Sequence, residues 1–151
     1  MAFYQFKRKQ YLETNLDELW RFISNPANLK RITPESMGFD ILTEDLPDKM
    51  YAGMIISYRV SPLLGIPTTW VTEITHVEEG KYFVDEQRRG PYKMWHHQHF
   101  LEPTDKGVRM TDIISYQPPF AVLGSMANQL IIKRKLEQIF DHRSDVLKSL
   151  F

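Results

Sequence analysis

Six runs of strand-forming residues, set apart by turn signals and followed by about thirty residues without a proline, constrain this chain more than any other feature. The runs are Phe39 to Leu42, Met54 to Val60, Thr68 to Val77, Tyr82 to Arg88, Tyr92 to Leu101 and Val108 to Tyr116. Between them stand Leu46-Pro47-Asp48, a Pro- and Gly-containing stretch from Ser61 to Pro67, Glu78-Glu79-Gly80, Gly90-Pro91 and Pro103-Thr104-Asp105-Lys106-Gly107. Links this short close hairpins, so the runs predict an antiparallel meander. A further strand precedes them, because Phe3, Gln5, Lys7 and Lys9 alternate with Tyr4, Phe6, Arg8 and Gln10. After it, Asn15 stands as an N-cap before Leu16 to Ile23, where Asp17 and Glu18 occupy the first turn and Leu16, Leu19, Trp20 and Ile23 share one helical face. That helix stops at Asn25-Pro26. A second short helix is expected from Ala27 to Ile32, ending before Thr33-Pro34, since the residue before a proline is pushed out of helical geometry.

The order of elements predicts one α+β domain over residues 1–151, a seven-stranded antiparallel sheet with helices at both ends of the sequence. One face of such a sheet must be covered, and the only element long enough is the terminal helix, expected from about Phe120 to Leu150. At about 1.5 Å per residue it makes a rod about 45 Å long. A curved sheet gripping so long a rod leaves space that side chains do not easily fill, and a cavity is expected there. Within the helix, Leu123, Met126, Ala127 and Leu130 share one side, while Ile132, Leu136, Ile139, Phe140, Leu147 and Leu150 lie roughly opposite, so the apolar stripe changes face near Leu130 to Ile132.

Composition removes several classes of function. Nineteen basic and nineteen acidic side chains leave no net charge to gather phosphates, which argues against a nucleic-acid partner. No apolar run approaches the roughly 20 residues of a bilayer span, and the first residues lack a basic start and long apolar core, so a cytoplasmic protein is expected. The absence of cysteine excludes disulfides, thiolate catalysis and zinc–thiolate sites. No Gly-x-Ser-x-Gly elbow or Gly-rich phosphate loop is present.

The densest polar chemistry is Trp95-His96-His97-Gln98-His99 inside one predicted strand. Period two puts Trp95, His97, His99 and Leu101 on one face and His96 on the other. A simple hairpin across Gly90-Pro91 sets Gln87 opposite Trp95, Asp85 opposite His97 and Phe83 opposite His99. Two histidines at i and i+2 can converge on a metal with Asp85 or Asp112 as third ligand. Only two of those ligands are assured by the sequence and no His-Glu-x-x-His is present, so neither a metal nor a cofactor is expected. Arg88-Arg89 and Lys133-Arg134-Lys135 read as solvated faces. The aliphatic tips Leu63, Leu64 and Ile66, and Phe120 to Leu123, suit a pocket entrance or an interface, and a homodimer through them is compatible with the sequence.

Taken together, Ile32-Thr33-Pro34, Phe83-Val84-Asp85-Glu86-Gln87 running to Gly90-Pro91-Tyr92 and Trp95-His96-His97-Gln98-His99, Asp112 with Tyr116, Pro119-Phe120, and the terminal Leu136, Ile139-Phe140 and Arg143 resemble the SRPBCC superfamily. These are the helix-grip proteins, which include START lipid-transfer domains, plant pathogenesis-related allergens and polyketide cyclases, and the likeness is closest to small bacterial members. The resemblance implies a seven-stranded sheet around a C-terminal helix with a cavity for lipids, polyketides or other apolar molecules. No catalytic motif of the cyclases is recognisable in this chain. Three readings follow. The first is a carrier whose guest contacts Trp70, Phe83, Trp95, Phe120 and Leu123 and is oriented by Asp85, Gln87, His97, His99, Asp112 and Tyr116. The second is a cyclase- or dehydratase-like enzyme with His97 or His99 as acid/base and Asp85 or Asp112 as its orienter. The third is a protein-interaction module using the aliphatic tips.

Overall fold

A computed structural model of the chain describes residues 3–62, 65–119 and 125–151, with side chains in the last segment described from residue 129 onward. The elements are β1 (Tyr4–Leu12), α1 (Leu16–Ile23), β2 (Asp40–Ile41), β3 (Ile55–Val60), β4 (Thr68–Glu78), β5 (Tyr82–Arg89), β6 (Met94–Thr104), β7 (Gly107–Gln117) and α2 (Ser125–Leu150). The segment expected as a second α-helix winds more tightly, as a 3-10 helix over Pro26–Ile32. The strands form a single antiparallel sheet in the order β1-β7-β6-β5-β4-β3-β2, so every consecutive pair from β2 to β7 is a hairpin or its equivalent and β1 closes the far edge against β7. This is the expected α+β sheet with its long terminal helix.

Local chemistry accounts for the element ends. Asn15 Oδ1 accepts a 2.8 Å hydrogen bond from the Glu18 amide and caps α1. Asn25 caps the 3-10 segment in the same way, accepting from the Ala27 amide, with Pro26 at its first position. The β6–β7 turn depends on Gly107, whose φ of +148° is combined with a close approach: a Cβ there would stand 2.0 Å from the Leu12 carbonyl oxygen. Register shifts between Val71 and Thr72 and between Ile74 and His76 mark irregularities on β4, and such irregularities curve a sheet.

The helix α2 lies across the concave face. Ile132, Leu136, Phe140, Arg143 and Leu147 are buried along one stripe, whereas Leu130 and Ile131 face solvent. The stripe thus lies where the sequence puts its second half, except that Leu150 is exposed while Leu147 in the same turn is fully buried. Met126 and Ala127 have no described side chain and Leu123 lies outside the described residues. Polar ties from the inner face of β1 fix the docking: Arg8 Nη1 donates to Asp141 at 2.7 Å and Gln10 Nε2 donates to the Ser144 carbonyl at 2.8 Å. The apolar interior is in two parts. One gathers Leu19, Trp20, Ile56, Ile74, Phe83 and Leu147, the other Phe6, Val60, Trp70, Ile114, Leu136 and Phe140. The polar groups described next sit at their junction.

Candidate functional site

Between the sheet and a roof made by α2 and the 3-10 segment lies a cavity of about 150 Å³. Ile56, Val60, Ile74, Met110, Leu136 and Ile139 form apolar walls, and Tyr58, Trp70, Phe83, Tyr92, Trp95 and Phe140 add aromatic ones. Its polar lining includes Thr72, Asp85, His97, His99 and Arg143.

Strand register explains how two histidines and two aspartates come together there. On β6, His99 stands between Phe83 of β5 and Asp112 of β7, while His97 stands between Asp85 of β5 and Ile114 of β7. The close polar contacts run diagonally. His99 Nε2 is 2.6 Å from Asp85 Oδ2, and His97 Nε2 is 2.9 Å from Asp112 Oδ1. The directly opposed pairs are longer, 3.1 Å for His99 Nδ1 to Asp112 Oδ1 and 3.7 Å for His97 Nδ1 to Asp85 Oδ2. Diagonal contacts of this kind are within reach of long side chains on one sheet face. The two imidazoles lie 3.6 Å apart at a 30° tilt, Phe83 stacks on His99 at 4.0 Å, and Phe140 packs edge-on against His97 at 5.8 Å.

His97, His99 and Asp112 are buried and Asp85 is half-buried beside them, so their charges must largely balance internally. Burial disfavours the imidazolium at His99, but hydrogen bonding to Asp112 and Asp85 outweighs it and raises the pKa. His97 differs: burial, reinforced by the charge on His99, lowers its pKa to about 4. Burial pushes both carboxyls up, yet the two histidines hold Asp112 well below the usual carboxylate range and hold Asp85 below it as well, with Arg143 assisting at Asp85. With a carboxylate oxygen against each of its ring nitrogens, His99 favours the imidazolium form, so the two carboxylates face that charge, the neutral His97 imidazole and the buried Arg143 guanidinium. Arg143 lies 4.8 Å over the Phe140 ring. Its Nε, the Trp70 indole N–H and the Trp20 indole N–H are buried donors without a hydrogen-bond partner among the described residues, and of these three residues Arg143 and Trp70 line the cavity.

Of the residues singled out from the sequence, Trp70, Phe83, Asp85, Trp95, His97 and His99 border the cavity. Asp112 lies behind the two imidazoles, and Tyr116 packs against Tyr92 and Trp95 rather than on the cavity surface. Gln87 is employed elsewhere. The β5–β6 pairing runs from Tyr82–Phe100 to Glu86–His96, and Gln87 clasps the turn, accepting from the Tyr92 amide at 3.1 Å and donating to the Tyr92 carbonyl at 2.6 Å. That clasp, not a guest, uses its amide. Phe120 and Leu123 lie outside the described residues, as do Leu63 and Leu64 of the aliphatic tip, whose Ile66 is exposed. Arg143 was read from the sequence only as part of the family likeness. The signal that marks it is a charged residue standing on the stripe of Leu136, Phe140 and Leu147, where an apolar one belongs.

A neutral imidazole with one nitrogen bonded and the other turned toward a cavity can accept a proton or a metal ion. Asp85, His97 and His99 bring one donor atom each within 4.8 Å of one another, a group that could hold a metal among the described residues.

Comparison with known proteins begins with the C-terminal part of the chain, where residues 63–151 match the family described as "Domain of unknown function (DUF8410)". The chain belongs to the DUF8410 family. No curated protein is significantly similar to it. Among solved structures, this DUF8410 protein is similar to protein CV1439 from Chromobacterium violaceum, with 13% identity, a TM-score of 0.72, and coverage of 97% of this chain and 96% of that one. A START superfamily protein from Mycobacterium smegmatis gives 12% identity and a TM-score of 0.68 over 96% of this chain and 94% of that one. Ara h 8.0201 gives 12% identity and a TM-score of 0.67 over 98% of this chain and 99% of that one. Identities this low establish the fold, and that fold is the helix grip implied by the sequence resemblance. No described helix of the DUF8410 chain is long and apolar enough to cross a membrane.

Proposed function

We propose that the protein binds a small, largely apolar molecule bearing an acceptor oxygen in the cavity between the sheet and α2. The observation that carries the reading is the cavity itself, walled by aliphatic and aromatic side chains and lined by Trp70 and Arg143, whose buried Nε1 and Nε donors have no partner among the described residues. A buried N–H without an acceptor costs on the order of 1–3 kcal/mol, a cost that a guest carbonyl or hydroxyl would relieve. The size of the space narrows the class: roughly 150 Å³ accommodates a single six-membered ring, well below the 300–1,000 Å³ usual for drug-sized ligands. A monocyclic ketone, phenol or lactone fits these terms, and a long acyl chain does not fit without displacement of α2. The lipid-transfer function of START domains, which share the fold, gives general support to hydrophobic binding but does not choose the guest.

Native mass spectrometry before and after organic extraction tests whether an apolar molecule co-purifies. Calorimetric titration with cyclohexanone, cyclohexane and a C16 fatty acid then tests the class. Cyclohexanone binding at least tenfold tighter than cyclohexane, with the difference reduced in Arg143→Met or Trp70→Phe, is the expected result. Equal affinity for the ketone and the hydrocarbon, or a clear preference for the fatty acid, refutes the reading.

A further inference from the structure

The way Asp112 is shared between the histidines fixes what their other nitrogens can do. One oxygen, Oδ1, lies 2.9 Å from His97 Nε2 and 3.1 Å from His99 Nδ1, so a single carboxylate braces one nitrogen of each ring. The opposite nitrogens, His97 Nδ1 and His99 Nε2, then stand 3.7 and 2.6 Å from Asp85 Oδ2. Histidines that ligate metals are characteristically braced in this manner, the ring nitrogen away from the ion donating to a carboxylate. We propose that Asp85, His97 and His99 form a binding site for a divalent first-row transition-metal ion, with Asp112 as the outer carboxylate that positions both imidazoles.

Distance, donor chemistry and charge each bear on the assignment. Ligand atoms about 2.0–2.2 Å from a common ion, at tetrahedral or octahedral angles, lie roughly 3.0–3.5 Å from one another. The observed 2.6 and 3.7 Å to Asp85 Oδ2 bracket that range, and side-chain adjustments of a few tenths of an ångström bring the donors onto one centre. Two imidazole nitrogens and one carboxylate oxygen favour zinc or ferrous iron over calcium or magnesium, which take oxygen ligands. The ion would replace the proton that otherwise joins His99 to Asp85. Exchange of one positive charge for two leaves the site one charge in excess, with Arg143 close by, so the remaining coordination position on the cavity side suits hydroxide or an anionic oxygen. All three ligands line the cavity, which supplies the route to that position. The sequence argued against a metal because only two ligands were assured. The fold adds the third ligand from β5 and the bracing carboxylate from β7.

This inference is independent of the apolar guest, because its probe is the metal alone. The full-length protein, stripped with chelator and checked for folding by circular dichroism, is titrated with Co²⁺ while the visible d–d absorption is followed, and Zn²⁺ is then used to displace it. The expected result is saturation at one equivalent with intense tetrahedral or five-coordinate bands, displaced by one equivalent of Zn²⁺. His99→Gln and Asp85→Asn should weaken binding at least 100-fold, Asp112→Asn by 10- to 100-fold, and His96→Gln, on the other face of β6, should leave it unchanged. Folded wild-type protein showing no saturable Co²⁺ spectrum at millimolar metal overturns the proposal. So does binding that His96→Gln weakens as much as His99→Gln, or that the ligand variants leave intact. The wild-type titration decides the matter even where a variant fails to fold.

Discussion

Replacing Asp112 by asparagine changes almost no volume and deletes one negative charge from the buried set, which makes it the most direct perturbation of the interior. Asp112 is 4% exposed and its Oδ1 faces both His97 and His99. An asparagine can keep its oxygen where Oδ1 faces both ring N–H groups, but as a neutral amide it accepts more weakly, puts an N–H₂ in place of Oδ2, and leaves His99 and Arg143 balanced by Asp85 alone. Removing one partner from a buried charge pair typically costs about 3–5 kcal/mol, whereas a surface pair is worth about 0–1 kcal/mol. In a domain of this length each kcal/mol corresponds to roughly 2–4 °C in Tm, so Asp112→Asn should lower Tm by roughly 6–20 °C. Asp85→Asn should cost less, because the Asp85 side chain is 16% exposed at the cavity surface and makes one short contact instead of two. Reversible urea and thermal unfolding of the metal-free protein, followed by circular dichroism, measures both. A loss below about 1 kcal/mol for Asp112→Asn, or a larger loss for Asp85→Asn, would falsify the account of two carboxylates balanced by the histidines and Arg143.

Two further substitutions test the cavity and the sheet. Ile56→Phe adds volume to the cavity wall from a position 4% exposed, and should abolish ketone binding at least tenfold while changing stability by less than about 1.5 kcal/mol; unaltered binding in calorimetry would place the guest elsewhere. Gly107→Ala brings a methyl group to 2.0 Å from the Leu12 carbonyl at a positive φ, and should destabilise the domain by roughly 3 kcal/mol by forcing β1 and the β6–β7 turn apart; a change within about 0.5 kcal/mol in urea unfolding would mean the turn relaxes freely.

How much of this was legible in the sequence differs between backbone and site. Turn residues and period-two patterning fixed the strands closely enough that the Phe83–His99 and Asp85–His97 pairs follow from the Gly90-Pro91 turn alone. The 3-10 winding of Pro26–Ile32 was not legible as distinct from an α-helix, since proline at the first position and an apolar stripe suit both. Gln87 shares the inner-face parity of Asp85 and was therefore read as a ligand contact, but period two says nothing about a side chain folding back along its own strand to clasp Tyr92. Asp112 was legible only as an orienting polar group, since its service to both histidines depends on the diagonal reach across β6 and β7, which is a matter of side-chain geometry and not of register. Arg143 needed the helix packed against the sheet before its charge could be seen to complete the balance.

The quartet also bears on why such an interior is kept. Its members occupy positions that strand patterning assigns to valine, leucine or phenylalanine, and the neighbouring inner-face residues Phe83, Leu101, Met110 and Ile114 are of that kind. Buried ion pairs replaced by apolar side chains of similar volume are often neutral in stability or stabilising by about 1–4 kcal/mol, so folding does not require them here. A local rule broken on four adjacent positions, with both ring nitrogens of each histidine facing a carboxylate, is the pattern expected of a site whose function costs stability. Trp70 and Arg143, whose buried N–H groups are unpartnered among the described residues, line the same cavity as Asp85, His97 and His99. Both sets of residues converge on the space beneath α2, the long helix that closes the fold.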